Sequence, residues 1–311
     1  MENLREQTQA YLTYQKNVRR ASENTIQSYE RDLRRFCEMM EKQGVNDPSR
    51  VTPWSLSEYL DHLNSGEFKA TTVSRNIAAL KGLFHFMARR GVIHEDITTM
   101  LKPPKIEKKL PVILSAEEVS ALLAQTDGNS KKAIRDKAML ELMCSTGLRV
   151  SELIELKVSD VNVTMGYVVC REKSGDRMIS FGEEANAALR RYLGDTREDM
   201  IGEPTDLLFV NVSGSSMSRQ GFWKLIKSYA KKAGIKKDIT PHTFRHTFAA
   251  NQMQDGAGLK ELQETLGHSD ISSTQVYRKV KEEQDAEIKA KRAADREAWL
   301  KLVEENANAD L

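Results

Sequence analysis

A short segment rich in proline constrains the fold of this chain most. Between positions 101 and 114 lie three of the chain's seven prolines, Pro103, Pro104 and Pro111. Proline has no backbone N–H and a fixed φ, so this segment favours an extended connection. The same segment contains four lysines, Lys102, Lys105, Lys108 and Lys109. The sequence therefore predicts two domains joined by a basic linker over residues 101–114, which suits a length of 311 residues.

Residues 1–100 show the periodicity of α-helices. Apolar side chains recur at helical spacing in three stretches: Ile26, Tyr29, Leu33, Phe36, Cys37 and Met40; Leu56, Tyr59, Leu60 and Leu63; and Val73, Ile77, Leu80, Phe84 and Met87. Thr52 followed by Pro53 is typical of an N-cap and a first helical position, and Gly91 predicts a helix end. We expect four helices that form a small helical domain.

Residues 115–278 are predicted to form a second domain with some β-structure. Ser115 and Glu118 fit a capping box, and a long helix should follow and end at Gly147. Alternating and β-branched residues at 158–170 and 177–181 predict a β-hairpin around residues 174–176. Helical periods return after residue 183. The predicted fold class is mainly α, with a small β-sheet or hairpin in the second domain.

The last segment, residues 279–311, differs in composition from the rest. Its stretch 281–298 consists almost entirely of charged residues and alanine, which is typical of a solvated helix or tail. A short apolar cluster follows it, made of Trp299, Leu300, Leu302 and Val303. We expect a C-terminal helical tail that packs either on its own domain or on a neighbouring protomer.

The composition favours a protein that folds in water. Hydrophobic residues make up 40% of the chain and charged residues 30%. Apolar runs are only a few residues long, which argues against a membrane span and against a secretory signal. The three cysteines, Cys37, Cys144 and Cys170, are an odd number and lie in apolar patterns. They predict reduced thiols and a cytoplasmic location.

The overall net charge of +2 does not point to nucleic acid, but its distribution is uneven. Residues 207–237 contain no acidic residue and seven basic ones: Arg219, Lys224, Lys227, Lys231, Lys232, Lys236 and Lys237. Such a stretch is compatible with binding a phosphate backbone. It is equally the composition of a solvated helix face, which is the better interpretation on charge alone.

Four segments of the second domain contain the polar residues that can support chemistry. They are 146–153 with Arg149, 171–177 with Lys173, 240–247 with His242 and Arg245, and 266–278 with His268 and Tyr277. Taken alone, each residue is typical of an ordinary surface, turn, capping or packing position. His242 and His246 could also bind a metal, but no glutamate follows His242 and no third ligand lies nearby.

In this order and spacing, the four segments resemble the tyrosine recombinase, or phage integrase, family. Residues 146–153 and 266–269 are similar to its Xer-type members, and the resemblance covers nearly the whole chain, least so beyond Arg278. It implies an N-terminal core-binding (SAM-like) domain and a catalytic domain. One position departs from the pattern: Xer-like hairpins often place the lysine where this chain has Glu172, and Lys173 comes one residue later, as in some phage integrases.

The resemblance implies a catalytic set made of Arg149, Lys173, His242, Arg245, His268 and Tyr277. Tyr277 would attack a backbone phosphate and form a 3′-phosphotyrosine. Arg149 and Arg245 would neutralise the phosphate charge without a metal. Lys173 would protonate the departing 5′ oxygen, either histidine would assist the tyrosine, and Glu152 would orient Arg149. The covalent link conserves the energy of the phosphodiester, so no cofactor or ATP is expected, and the sequence has no GxxxxGK[ST] loop.

The expected partners follow from the same resemblance. They are duplex DNA and a homo- or hetero-tetramer of recombinases on two DNA sites, with a DNA translocase or accessory factor left open, and no membrane. The role would be chromosome-dimer resolution or the integration and excision of a mobile element. Three alternatives remain: a type IB topoisomerase, a sequence-specific DNA-binding protein without activity, and a metal-dependent hydrolase built on His242 and His246.

Overall fold

The computed structural model describes residues 3–66, 68–106, 110–171, 175–267, 274–282 and 286. The chain divides into two compact units, Met1–Lys108 and Lys109–Leu311. Within the described ranges, no helix is long and apolar enough to span a lipid bilayer. Leu114 is buried in the second unit, where its N–H donates to Thr247 Oγ1 at 2.9 Å. The boundaries proposed for the linker and the tail stay predictions.

The first unit consists of helices, as predicted. Its described residues form four α-helices, α1 (Leu4–Asn17), α2 (Glu23–Lys42), α3 (Pro53–Ser65) and α4 (Ala70–Arg89), with a 3₁₀ turn at Pro48–Arg50. Thr52 caps α3 through Ser55 N–H, and Pro53 is the first helical residue. Gly91, with φ 70°, follows the end of α4. Local capping signals therefore set the start of α3 and the end of α4.

The core of the first unit forms where α2, α3 and α4 meet. Leu33, Phe36, Leu56 and Phe84 are fully buried there. Tyr59 is buried with them and donates its hydroxyl to Asn76 Oδ1 at 2.7 Å, so its polar end is satisfied. This unit therefore has its own hydrophobic core.

Among its described residues, the second unit contains seven α-helices and one small sheet, besides a helical segment at 276–282. They are α5 (Ala116–Ala124), α6 (Lys131–Thr146), α7 (Val150–Glu155), β1 (Val161–Asn162), β2 (Tyr167–Cys170), β3 (Arg177–Ser180), α8 (Glu183–Asp195), α9 (Arg219–Lys232), α10 (Pro241–Gln254) and α11 (Leu259–Leu266). The predicted fold class, mainly α with a small sheet, is confirmed. The single long helix expected after Ser115 is wrong, because the turn-forming residues 126–129 separate α5 from α6, which Ser130 caps.

Helix α6 is the central element of the second unit. Apolar residues on several of its sides are fully buried, including Ala138, Met139, Leu140, Leu142 and Met143. It packs against α8 and α10. Because these buried residues lie on several sides of α6, the neighbouring elements fix the position of the helix and of its C-terminal end.

The sheet is antiparallel, in the order β1-β2-β3. The segment predicted as one strand, 158–170, contains two strands, because Gly166 (φ 70°) forms a turn between β1 and β2. In the β2–β3 hairpin, Cys170 pairs with Arg177 and Val168 with Ile179. Cys170 and Ile179 are buried, so the pleat directs Arg177 to the core-facing side.

Gly147 gives a test of how tightly the end of α6 is packed. Its φ of 62° is left-handed, and a Cβ there would lie 2.5 Å from Phe248 Cδ1. We expect Gly147→Ala to lower the free energy of unfolding by about 2–4 kcal/mol, the sum of backbone strain and overpacking. Urea unfolding followed by circular dichroism measures this.

Gly234 is the matched control, because its φ is 70° and nothing lies within 4 Å of its added Cβ. Gly234→Ala should cost only the backbone strain, about 1 kcal/mol. Equal losses in the two variants would show that Phe248 yields easily and that the α6 end is loosely packed.

Candidate active site

The turn between α6 and α7 positions Arg149. Gly147 ends α6 in the left-handed conformation, and Arg149 is the N-cap residue of α7. The Arg149 guanidinium donates to Glu152 Oε1 at 2.5 Å and to the Gly267 carbonyl at 2.6 Å. Its backbone N–H donates to Glu152 Oε2 at 2.7 Å. Glu152 therefore contacts Arg149 as the expected orienting role requires, and the role itself stays a prediction.

The start of α10 positions His242 and Arg245. Thr240 is the N-cap and Pro241 the first helical residue, as predicted. Thr240 N–H donates to Thr243 Oγ1 at 3.0 Å, which stabilises this first turn. His242 and Arg245 are three residues apart, so they project from neighbouring positions on one face of the helix.

Arg245 is buried, with only 4% of its surface exposed. Its guanidinium donates to the Gly147 carbonyl at 2.9 Å and to the Leu266 carbonyl. Leu266 ends α11, and Gly267 is its left-handed C-cap. Carbonyls at a helix C-terminus have no partner within the helix and carry partial negative charge. Two helix ends, those of α6 and α11, therefore hold the two arginines together.

Arg177, at the start of β3, adds a third guanidinium. It donates to Glu152 Oε2 at 2.8 Å and to the Thr265 carbonyl at 3.0 Å. Burial by itself would raise the pKa of Glu152, but Arg177 and Arg149 outweigh it and the pKa is lowered. Glu152 is thus an ionised carboxylate shared by two arginines.

Arg245 has no such carboxylate contact among its described hydrogen bonds. Burial, and then the charge of Arg149, lower the pKa of Arg245 to about 10. The group still carries its charge at neutral pH. The positive charge of Arg149, Arg177 and Arg245 therefore exceeds the negative charge of Glu152, which suits a site that receives an anion.

Tyr277 lies in a helical segment, 276–282, with only 2% of its surface exposed. Its ring belongs to an apolar cluster with Phe248, Ala249, Met253, Leu262 and Leu266. Burial raises the pKa of Tyr277, and Arg245 opposes that rise. The hydroxyl therefore keeps its proton at neutral pH until something accepts it.

His246 contacts that hydroxyl. Its Nδ1 lies 2.8 Å from Tyr277 Oη, and the two ring centroids are 5.8 Å apart. Burial, and then His242 and Arg245, lower the pKa of His246 to about 4. Burial, Arg245 and Arg149 also lower the pKa of His242, whose ring centroid is 6.4 Å from that of His246. Both imidazoles are neutral at pH 7.

Four of the six predicted site residues can be placed. Arg149, His242, Arg245 and Tyr277 lie in one region of the second unit, while Lys173 and His268 lie outside the described residues. The roles of all six stay predictions. Most of the tail, from 283 onwards apart from residue 286, is likewise outside the described residues.

Sequence reasoning gave no role to Arg177 and considered His246 only as a metal ligand. The available signal for His246 was its position four residues after His242 on the same helix face. Within the described ranges, no group of three His, Cys, Asp or Glu side chains is placed to hold a metal ion.

Two family profiles match this chain. That of the phage integrase family matches residues 113–284, and that of the phage integrase N-terminal SAM-like domain matches residues 8–91. The chain therefore belongs to the phage integrase family, the tyrosine recombinases.

Curated relatives match over most of their length. Tyrosine recombinase XerD of Halalkalibacterium halodurans is 40% identical over 89% of this chain and 94% of its own. Tyrosine recombinase XerD of Listeria monocytogenes is 38% identical over 82% of this chain and 88% of its own.

Solved structures share the fold at low sequence identity. XerH recombinase in a post-cleavage complex with its difH substrate has a TM-score of 0.72 at 22% identity, over 91% of this chain and 84% of its own. A lambda integrase dimer bound to a core site has a TM-score of 0.70 at 18% identity, and the match covers 89% of this chain and 95% of the integrase chain in that structure.

The shared carboxylate gives a stability test. We expect Glu152→Gln to lower the free energy of unfolding at pH 7 by about 3 kcal/mol, because it removes the charge that compensates Arg149 and Arg177. Since the folded pKa of Glu152 is lowered, its contribution is complete above the ordinary carboxyl value of 4.5 and is lost as pH falls through the folded value. The difference between the two proteins should shrink over that range.

Urea unfolding at several pH values measures this difference. Glu155→Gln, on the exposed side of the same helix, is the matched control and should change stability little at any pH. A Glu152→Gln deficit that is equally large at pH 7 and at the acid end would mean that packing, and not charge, is lost.

Proposed function

We propose that this protein is a site-specific DNA recombinase that breaks and rejoins duplex DNA through a 3′-phosphotyrosine, with Tyr277 as nucleophile. The observation that carries the proposal is the pair Arg149 and Arg245, held by two helix ends in the same region as Tyr277. Phosphoryl transfer gathers negative charge on the nonbridging phosphate oxygens, and fixed guanidinium groups stabilise it without reorganising.

Cleavage is a single transesterification. The Tyr277 oxygen gives its proton to a neighbouring histidine and bonds to phosphorus, and the bond from phosphorus to the 5′ oxygen breaks. Lys173 gives that oxygen a proton, while His242 and His268 donate hydrogen bonds to the phosphate. In rejoining, the 5′-hydroxyl attacks the phosphotyrosine and releases Tyr277. The phosphodiester energy is kept in the covalent link, so no ATP or cofactor takes part.

The chemistry also gives the expected partners and location. We propose that recombinase protomers assemble as a tetramer on two duplex DNA sites in the cytoplasm. The relatives named XerD are closer in sequence than lambda integrase, which favours chromosome-dimer resolution over mobile-element integration. Strand exchange between two sites separates this function from that of a type IB topoisomerase, which relaxes one duplex.

Tyr277→Phe tests the nucleophile. The variant should form no covalent adduct but bind DNA within a few-fold of wild type, because one hydroxyl is removed and the buried ring is kept. The probe is a nicked duplex carrying the sequence that the wild-type protein traps covalently in its native cell, with chelator present. Adducts are counted on a denaturing gel.

Tyr229→Phe is the control, because Tyr229 is another buried tyrosine of the second unit, with its hydroxyl on Asp136. Its adduct yield should follow the amount of folded protein. If Tyr277→Phe still forms adducts and Tyr229→Phe does not, the nucleophile is misassigned. DNA binding without an adduct by the wild type would indicate an inactive binding protein.

Replacing either arginine by lysine tests the anion site. Arg149→Lys and Arg245→Lys should each slow single-turnover cleavage by about 10²-fold or more, because an ammonium cannot contact both the backbone carbonyls and a phosphate. Arg191→Lys, at an exposed position that contacts Asn129, should cleave normally. Normal cleavage by Arg245→Lys would assign that residue a structural role.

A further inference from the structure

The contact between His246 and the tyrosine hydroxyl carries an inference that rests on the proposed function and deepens it. We propose that His246 is the catalytic residue that holds the Tyr277 hydroxyl and accepts its proton when the DNA phosphate is attacked. Neither motif histidine, His242 nor His268, would then serve as the base. Their contribution would be confined to hydrogen bonds to the phosphate.

Geometry is the first support. His246 Nδ1 is 2.8 Å from Tyr277 Oη, within the range for direct proton transfer. His246 is on α10, one residue after Arg245, so the helix that places a phosphate-neutralising guanidinium also places the base. His242 lies a full turn earlier on the same helix, and its ring is separated from that of His246 by 6.4 Å between centroids.

The packing of the tyrosine is the second support. Tyr277 is held by Phe248, Met253, Leu262 and Leu266, which fix its ring but cannot accept a proton. A buried tyrosine hydroxyl requires a polar partner, and a neutral imidazole with its hydrogen on Nε2 offers Nδ1 as the acceptor. The same contact therefore satisfies the hydroxyl at rest and gives its proton a destination.

Electrostatics explains why the transfer waits for DNA. In the free protein, burial, His242 and Arg245 keep His246 neutral and burial keeps Tyr277 protonated. A phosphate bound between Arg149 and Arg245 adds negative charge, which favours an imidazolium beside it. Arg245 meanwhile favours the tyrosine anion. The proton should move only when phosphate, arginines and hydroxyl are together.

The proton follows a closed cycle. During cleavage the O–H bond of Tyr277 breaks, its proton binds His246 Nδ1, and the oxygen bonds to phosphorus. During rejoining the 5′-hydroxyl returns its proton to Lys173 and bonds to phosphorus, the bond from phosphorus to Tyr277 breaks, and the Tyr277 oxygen recovers the proton from His246. One residue thus serves as base in one direction and as acid in the other.

Two variants at His246 separate its possible roles. His246→Asn places an amide oxygen near the position of Nδ1, so it can hold the hydroxyl but cannot take a proton. His246→Phe keeps a ring of similar size and removes the hydrogen bond. Circular dichroism and DNA binding show for each variant whether the protein is folded. Single-turnover cleavage and rejoining are measured on the same nicked duplex.

A sulfur substrate distinguishes the two proton transfers. When sulfur replaces the bridging 5′ oxygen of the nicked duplex, the thiolate leaves without being protonated, so a missing proton donor no longer matters. We expect both His246 variants to be slowed about 10²-fold or more on the oxygen duplex and to stay slow on the sulfur duplex. Lys173→Ala, which lacks the proposed donor, should recover on the sulfur duplex. Rejoining by His246→Asn should be slowed as well.

The outcomes are separable. Recovery of His246→Asn on the sulfur duplex, or normal cleavage by it on both, overturns the assignment of His246 as base. A slow His246→Phe with a normal His246→Asn reduces the role to positioning, which also overturns it. If His246→Asn proves unfolded, a sulfur-insensitive defect in folded His246→Phe supports the assignment, and its recovery overturns it. Wild-type protein that forms no adduct contradicts the proposed function itself.

Discussion

The arrangement of this site depends on guanidinium groups bound to the carbonyl ends of two helices. Arg245 donates to carbonyls at the ends of α6 and α11, and Arg149 donates to the α11 end. A buried charge is costly unless its donors are satisfied, and helix C-termini offer unpaired carbonyls with favourable dipoles. Because carbonyls are neutral, they hold each arginine without cancelling its charge. An anion can therefore still be attracted.

The Glu152 carboxylate balances part of that charge, and its position decides which part. It contacts Arg149 and Arg177, on the side of α7 and β3, while the described hydrogen bonds of Arg245 go to backbone carbonyls. The uncompensated charge is thus concentrated where α10 also presents His242 and His246. Burial and this positive charge keep both imidazoles neutral, so His246 can accept a proton while His242 can donate a hydrogen bond through its ring N–H.

The nucleophile is stored in an apolar environment that belongs to the same framework. Tyr277 packs on α10 and α11, the helices that place Arg245 and supply its carbonyl partner. Any shift of α11 relative to α10 would therefore move the arginine's partner and the tyrosine's packing together. Gly147, at the end of α6, allows Phe248 of α10 to pack closely against its backbone. This contact fixes the end of α6 relative to α10.

The sequence alone determined the elements and the family. Capping depends on residues within about four positions, so the local sequence predicted helix boundaries correctly. The signals were Thr52 with Pro53, Ser115 with Glu118, Thr240 with Pro241, and the glycines at 91 and 147. The order and spacing of the motifs identified the family and its expected catalytic set. The break between α5 and α6 also has a local signal, the turn-forming residues 126–129. It was overlooked because the segments on either side both have helical periodicity.

Only the tertiary structure decided what those residues touch. Arg149 meets a carbonyl 118 residues away, Arg245 meets one 98 residues away, and His246 meets a hydroxyl 31 residues away. Such contacts depend on how the buried helix α6 packs with α10 and how α11 ends beside them, which no local pattern encodes. The sequence could therefore name Arg149, Arg245 and Tyr277 by motif. It could not find His246 as the tyrosine's partner, because that pairing exists only once packing brings α10 and the segment 276–282 together.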